Sequence, residues 1–160
     1  MTTRIKTRFT FGDTIYYLSY DGKVHSGKVM EIRLTKRGCG SKSTIEYFAD
    51  GYHVANRVFA SEREVRDFVF HGEETAFEKP YEFKVKSICD FGEEVIYFDE
   101  DTEVQQGVIT EITVTIEPDN DPYVLYEMAG KDDLVEEYLV FKTKEELIAY
   151  VMKNLNNEVG

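Results

Sequence analysis

Several residue types that would point to a specialised class of protein are scarce in this chain. Its 160 residues include no tryptophan, three prolines, three histidines and two cysteines. Two cysteines at unrelated places do not make a disulfide framework and suit a reducing compartment. No apolar run approaches the ~18 residues of a membrane-spanning helix, and the first residues lack the apolar stretch of a signal peptide. We therefore expect a cytoplasmic protein with no membrane segment.

Motifs for catalysis or cofactor binding are also lacking. The histidines are scattered, and no nucleophile motif or phosphate-cradling loop occurs. Asp99–Glu103 and Asp119–Asp121 offer carboxylates, but neither has the spacing of a calcium-binding loop, which favours solvated turns. We expect no enzyme activity, no cofactor and no metal site. An unrecognised hydrolase is the alternative, and it requires a concave site in which carboxylates have raised pKa values.

What the chain does have is aromatic residues and an uneven distribution of charge. Eleven tyrosines and eleven phenylalanines can supply the core of a folded protein. Residues 1–80 contain 13 Lys and Arg against 11 Asp and Glu, whereas residues 81–160 contain 6 against 20. The second half therefore accounts for the whole net charge of −12. This asymmetry is the main electrostatic feature of the sequence.

The sequence repeats itself at an offset of eighty residues. Residues 4–35 align with residues 84–115 without a gap, and ten of the positions are identical. The identical pairs are Lys6/Lys86, Phe11/Phe91, Gly12/Gly92, Tyr17/Tyr97, Asp21/Asp101, Val24/Val104, Gly27/Gly107, Glu31/Glu111, Ile32/Ile112 and Thr35/Thr115. We infer a first repeat with its helix over residues 1–71, a linker over 72–83, and an acidic second repeat with its helix over 84–160.

Each repeat reads as short strands followed by a helix. Residues 15–18 and 95–98 are unbroken apolar runs, typical of a strand covered on both faces by a helix, the sister repeat or a second chain. Gly27 and Gly107 interrupt the next strand at equivalent points, which indicates a bulge or bend. Ser61 and Thr143 begin capping boxes that predict a helix at the end of each repeat.

The repeated pattern resembles a known fold. Each repeat contains the pattern Phe-Gly-Asp/Glu-x-Ile/Val-x-Tyr, followed by Val-x-x-Gly-x-Val/Ile-x-Glu-Ile. This pattern resembles the SH3-like barrels of the Tudor and KOW type. With the closing Phe-x-Thr/Ser-x-x-Glu helix it is also similar to small bacterial and phage proteins. The resemblance implies a mostly β (α+β) protein with two tandem five-stranded SH3-like barrels, each closed by a C-terminal helix. Such a fold does not itself define an activity.

The acidic second repeat is the candidate site for a partner. Closely spaced carboxylates either improve solubility or meet a cationic surface. We expect a non-enzymatic protein-interaction module that docks on a basic protein, with a phage-type inhibitor that mimics nucleic acid as one form of it. The candidate partner-binding residues are Asp99, Glu100, Asp101, Glu103, Asp119, Asp121, Asp132 and Asp133.

Two further assignments remain open at this point. The loop that follows the long strand of the first repeat is basic and glycine-rich, and Lys36, Arg37 and Lys42 are its candidate nucleic-acid contacts. The net negative charge disfavours that alternative. The aromatic residues of both repeats belong either to the core or to a surface that holds a cation, and the unmatched Tyr16, Tyr20 and Tyr52 are the candidates for that surface. Because Tyr17/Tyr97 and Tyr47/Tyr126 recur at matched positions, we expect those four in the core.

Overall fold

The computed structural model describes residues 2–19, 21–38, 43–49, 52–54, 57–72, 81–132 and 134–159. The first repeat contains β1 (Thr2–Thr7), β2 (Thr14–Leu18), β3 (Val24–Arg37), β4 (Thr44–Ala49), β5 (Tyr52–Val54) and α1 (Glu62–His71). The second contains β6 (Tyr81–Lys86), β7 (Glu94–Phe98), β8 (Val104–Ile116), β9 (Tyr123–Met128), β10 (Leu134–Glu136), a 3-10 turn (Glu137–Leu139), β11 (Val140–Phe141) and α2 (Lys144–Val159). The mostly β class is therefore confirmed.

The same backbone hydrogen bonds recur at the repeat offset. The N–H of Gly12 donates to the carbonyl of Val29 at 3.0 Å, and the equivalent bond in the second repeat measures 2.9 Å. The N–H of Ser19 donates to the carbonyl of Lys23 at 3.0 Å, and the equivalent bond, from Asp99, is also 3.0 Å. The two stretches of sequence thus fold with the same local hydrogen bonding.

Capping boxes begin both helices, as the sequence predicts. The hydroxyl of Ser61 accepts from the N–H of Glu64 at 3.2 Å, and that of Thr143 accepts from the N–H of Glu146 at 3.2 Å. Each glutamate in turn accepts from the backbone N–H of the residue before the cap, at 2.9 and 3.0 Å. These bonds satisfy N–H groups that a helix leaves unpaired in its first turn.

The helices cover the strands that the sequence reads as buried on both faces. In the second repeat the ring of Phe98 lies 6.0 Å from that of Phe141 and 6.4 Å from that of Tyr150 in α2. In the first repeat Phe59 packs 5.4 Å from Phe68 of α1. Such aromatic pairs add to the burial of apolar area. The sequence allowed a helix, the sister repeat or a second chain as the covering of these strands. In the structure the covering described here is a helix.

Strands β3 and β8 are long because each pairs with two strands of its own repeat, one after the other, as well as with the other long strand. The first half of β3 pairs with β2, and the ladder with β4 then slips in register between Val29 and Glu31. The same slip recurs in β8 at the repeat offset. The sequence predicted the bulge at Gly27 and Gly107. In the structure it lies two to three residues further along each strand. A bulge bends a strand and increases its twist, so each strand can leave one partner and join another.

The two repeats pair with each other through two antiparallel ladders. In the β1–β6 ladder Arg4 lies opposite Lys84, and in the β3–β8 ladder Leu34 lies opposite Val114. Both pairs join residues that are eighty positions apart, so each residue faces its own counterpart in the other repeat. This is the register of a two-fold symmetric contact, which joins identical surfaces. The chain folds as an internal pseudo-dimer.

The expected pair of closed five-stranded barrels is not what the described strands form. They make an open nine-stranded sheet, in the order β10-β9-β8-β3-β4-β5 with β2, β7 and β11 attached, and a two-stranded ribbon of β1 and β6. A closed barrel would have to return its first strand to its own repeat, and here β1 pairs with β6 of the sister repeat. The buried apolar residues of both repeats accordingly form one cluster.

The predicted linker overlaps the second repeat. Strand β6 begins at Tyr81, so residues 81–83 belong to a strand that pairs with β1. Residues 73–80 lie outside the described part of the chain. The second structured unit thus begins three residues before the boundary inferred from the repeat.

Candidate functional site

The hairpin between β7 and β8 presents the densest run of acids in the described chain. One carboxylate oxygen of Asp99 accepts from the N–H groups of Asp101 and Glu103, at 3.0 and 2.9 Å. The other oxygen accepts from the side-chain amide of Gln105 at 2.9 Å. The N–H of Glu103 is the main reason why the pKa of Asp99 lies below its usual value. Asp99 thereby fixes the turn, and the carboxylates of Glu100 and Asp101 stand exposed on it.

A pocket of about 390 Å³ lies between this hairpin and β10, and we name it the acidic pocket. Its acidic side chains are Asp99, Glu100, Asp101 and Glu136, and Lys131 is the one cation among its lining residues. Its other lining residues are Tyr97, Phe98, Met128, Leu134, Val135, Tyr138 and Leu139. The pocket therefore combines a rim of carboxylates with a largely apolar floor.

The wall opposite the hairpin is made by β10 and the turn after it. Glu136 ends β10, and Tyr138, which is 58% exposed, follows in the 3-10 turn. The pKa of Tyr138 is raised, first because its hydroxyl hydrogen-bonds to Glu136 and then because of the charge of that carboxylate. Tyr138 and Glu136 both line the pocket, so an aromatic ring and a carboxylate form part of the same wall.

A second concavity shares this wall, and we name it the tyrosine groove. It measures about 590 Å³ and is lined by Ile88, Pro122, Tyr123, Val124, Glu136, Glu137 and Tyr138. One carboxylate oxygen of Glu137 accepts from the N–H of Ile88 at 3.1 Å and from the hydroxyl of Tyr126 at 2.5 Å. Burial and the bond to Glu137 raise the pKa of Tyr126 far above its usual value. This network ties the floor of the groove to the core.

The predicted partner-binding residues fall into two groups. Asp99, Glu100 and Asp101 line the acidic pocket, and Glu103 belongs to the same hairpin. Asp132 lies beside Lys131 in the turn after β9. Asp119 and Asp121 are in the turn after β8, at the other end of that 13-residue strand. Asp133 is outside the described residues. The structure therefore brings Asp99, Glu100 and Asp101 together and places Asp119 and Asp121 at the other end of β8.

The predicted nucleic-acid residues do not form a basic loop in the described chain. Lys36 and Arg37 are the last residues of β3 and pair with Ile112 and Glu111 of β8. The guanidinium of Arg37 lies 2.9 Å from the carboxylate of Glu111. Lys42 lies outside the described residues. The pairing of the two repeats has extended β3 into the segment that the sequence assigned to the loop.

No family model, curated protein or solved structure matches this chain. Within the described residues, no group of three or more His, Cys, Asp or Glu side chains is placed to hold a metal ion. No described helix is long and apolar enough to cross a membrane. Functional inference for this protein thus rests on its own geometry.

Sequence reasoning had placed the matched tyrosines in the core, and burial largely agrees. Tyr47, Tyr97 and Tyr126 are buried, while Tyr17 is half-buried and packs against the core. Glu136 was not among the predicted site residues, because the fold brings it to the hairpin only through the β9–β10 turn. No sequence signal pointed to Tyr123 and Tyr138, because the surface candidates were the unmatched Tyr16, Tyr20 and Tyr52 of the first repeat. The side chains of Tyr20 and Tyr52 lie outside the described part of the chain.

Proposed function

We propose that this protein is a non-enzymatic interaction module whose acidic second repeat docks on a basic protein. The acidic pocket receives a lysine or arginine side chain of that partner. The observation that carries the proposal is the juxtaposition of Asp99, Glu100, Asp101 and Glu136 around one apolar floor. The expected cytoplasmic location belongs to the same proposal.

The chemistry of the pocket fits a long cationic side chain. Lysine and arginine have an apolar stem and a charged head, and they bury the stem while the head stays near water or a counter-charge. Leu134, which is 48% exposed, and the half-buried Phe98 and Leu139 are the lining side chains that such a stem can contact. The carboxylates of the hairpin and of Glu136 then meet the head, and the ring of Tyr138 offers a face for a cation–π contact.

The wider acidic surface supports an electrostatic role in finding the partner. Acids stand at both ends of β8, in the hairpin before it and in the turn after it. Charge of one sign along a surface speeds encounter with a partner of opposite sign. We include in the proposal a phage-type inhibitor that uses this array to occupy a phosphate-binding groove, in the manner of a nucleic-acid mimic.

The SH3-like origin of each repeat is likewise a proposal. It is supported by the order of the strands along each repeat and by the bulged second arm, which pairs first with β2 and then with β4. In this view each repeat is an SH3-like unit that opened and exchanged β1 contacts with its sister. The exchange of an identical element between two units is a known route to dimers.

The binding test uses a fluorescein-labelled oligo-arginine peptide and the full-length chain. The variant Glu100→Gln/Asp101→Asn removes two charges from the pocket while leaving the turn-forming Asp99 intact. The matched control, Asp119→Asn/Asp121→Asn, removes two charges at the far end of β8. Asp119 has a φ of 61°, a conformation that asparagine tolerates. The two variants therefore have the same net charge and differ in where it was changed.

We expect the pocket variant to weaken peptide binding about tenfold and the control by less than about twofold, because exposed charges away from the contact are screened over ~10 Å at ~0.1 M salt. Equal weakening in both variants would show a diffuse charge effect and remove the pocket from the proposal. Unchanged binding in both would remove the acidic repeat as the site.

The two alternatives from the sequence have no supporting observation in the described residues. For nucleic acid, Arg37 already pairs with Glu111. For a hydrolase, a general acid requires a carboxyl with a raised pKa, and the pKa of Asp99 is lowered. A salt-dependent gel shift abolished by changing Lys36, Arg37 and Lys42 together is the result that would favour nucleic acid.

A further inference from the structure

We infer that the docking surface is bipartite and recognises an extended protein segment that carries a cationic residue and an apolar residue about four positions apart. The cation enters the acidic pocket, and the apolar side chain enters the tyrosine groove. This inference rests on the proposed function, since it assumes that the acidic pocket binds a basic partner. It adds the sequence pattern that the partner must present.

The two concavities are neighbours along one wall. Glu136 and Tyr138 line both of them. On the accessible face, the acidic pocket reaches Leu134, which lies opposite Glu127 of β9, and the tyrosine groove reaches Tyr123 at the start of that strand. Glu127 and Tyr123 point to the same face of the strand, because their positions differ by an even number. A single segment lying along β10 therefore crosses both sites.

The spacing follows from strand geometry. Glu127 and Tyr123 are four residues apart, which corresponds to about 13 Å at the ~3.3 Å rise of a strand. An extended partner segment covers this distance in about four residues, and its residues i and i+4 point to the same side. Leu125, half-buried on the same face of β9, lies between them.

The tyrosine groove has the exposed apolar surface that an apolar side chain would cover. Ile88 is 49%, Tyr123 43% and Tyr138 58% exposed. Large apolar side chains that lie together at the surface mark interaction sites. The charge of Glu136 and Glu137 at the same wall favours a partner segment that is basic as a whole.

The first repeat does not offer the same surface. The residue equivalent to Ile88 is Arg8, whose guanidinium lies 2.8 Å from the carboxylate of Glu64 and 5.0 Å from the ring of Phe9. The residue equivalent to Tyr123 is Thr44. Where the second repeat exposes apolar side chains beside carboxylates, the first carries an ion pair of its own. Among the residues that the structure describes, the bipartite surface therefore belongs to the acidic repeat.

The test compares two Gly/Ser peptides of the same composition, each with one arginine and one leucine. In one peptide the two residues are four apart, and in the other they are adjacent. Both are titrated into the full-length chain and into Tyr123→Ala, with Tyr81→Ala as the control. Tyr81 is 44% exposed, like Tyr123, and lines neither concavity.

We expect the peptide with the four-residue spacing to bind the native chain about fivefold more tightly, because only it can bury the leucine in the groove. Tyr123→Ala should abolish that preference while retaining salt-dependent binding of both peptides, and Tyr81→Ala should keep the preference. Equal affinity of the two peptides, with binding still lost in Glu100→Gln/Asp101→Asn, would overturn the bipartite inference and leave the proposed function standing. If Glu100→Gln/Asp101→Asn also leaves the affinity of both peptides unchanged, the bipartite inference and the proposed function are both overturned.

Discussion

The substitution Gly107→Ala tests how closely the second repeat is packed behind the acidic pocket. A Cβ at Gly107 would lie 3.0 Å from Cε1 of Tyr97, and 3.2 and 3.3 Å from Cβ and Cγ of Met128. All of these contacts are shorter than the ~3.5–4.0 Å at which carbon atoms attract each other. Both neighbours are buried, with exposures of 3% for Tyr97 and 1% for Met128. A shift of either side chain therefore disturbs packing at the boundary between the core and the acidic pocket.

We expect Gly107→Ala to lower the free energy of unfolding by about 1–3 kcal/mol, the usual cost of overpacking a core. The measurement is urea unfolding followed by circular dichroism, where this change should lower the midpoint at an unaltered slope. The matched control is Gly27→Ala in the first repeat. There Ala49 stands where the second repeat has Met128, since the pairs Val29/Ala49 and Ile109/Met128 are equivalent. A smaller neighbour should make the control less damaging.

A double variant checks the cause of the effect. Met128→Ala alone should cost about 2–5 kcal/mol by leaving a cavity. Combined with Gly107→Ala it should cost less than the sum, because loss of Cγ of Met128 removes one of the three short contacts and leaves a cavity into which the other neighbours can shift. Neighbours in contact couple by about 0.5–3 kcal/mol. Additive costs, or a Gly107→Ala chain as stable as the native one, would refute the close approach of these three side chains.

Three further predictions concern single groups. Thr102 has a φ of 62° where the first repeat has Gly22, so Thr102→Gly should stabilise the chain by about 0.5–1 kcal/mol in thermal unfolding, and a loss of stability would contradict the strain. Burial raises the pKa of Cys89 to about 11, so in a Cys39→Ser background a thiol reagent at pH 8 should label it only after denaturation. The pKa of Tyr126 is raised by burial, so the unfolded state loses this proton near pH ~10 before the folded state does, and stability should fall as pH rises beyond that value. Tyr126→Phe should flatten this alkaline slope.

Much of the local structure could be predicted from the sequence. The eighty-residue offset, the two capping boxes and the burial of the recurring tyrosines depend on neighbours in the chain or on side-chain type. Strand partners depend on distant segments. Because the repeats are alike, β1 and β3 meet nearly the same sequence in their own repeat and in its sister, and the sequence does not distinguish a closed barrel from an exchange. The exchange between repeats is visible only in the structure, in the two ladders that pair Arg4 with Lys84 and Leu34 with Val114.

For the candidate site, too, the sequence predicted the local part and not the part that depends on tertiary structure. The run of acids from Asp99 to Glu103 is local and was recognised as one turn. The opposite wall required knowing that β10 returns beside that turn, which is a tertiary fact. The two basic residues at the end of β3 were misplaced in a loop for the same reason, because the pairing that extends the strand comes from β8.

The central claim is that the acidic pocket is where a basic partner meets this protein. Its most direct test is a two-dimensional ¹H–¹⁵N NMR titration of the full-length chain with the oligo-arginine peptide, which has no apolar side chain for the tyrosine groove. We predict that amide shifts concentrate in residues 97–101 and 131–138, and that the turn at residues 117–121 does not move. Shifts centred on residues 117–121, or spread evenly over the acidic surface, would contradict the claim.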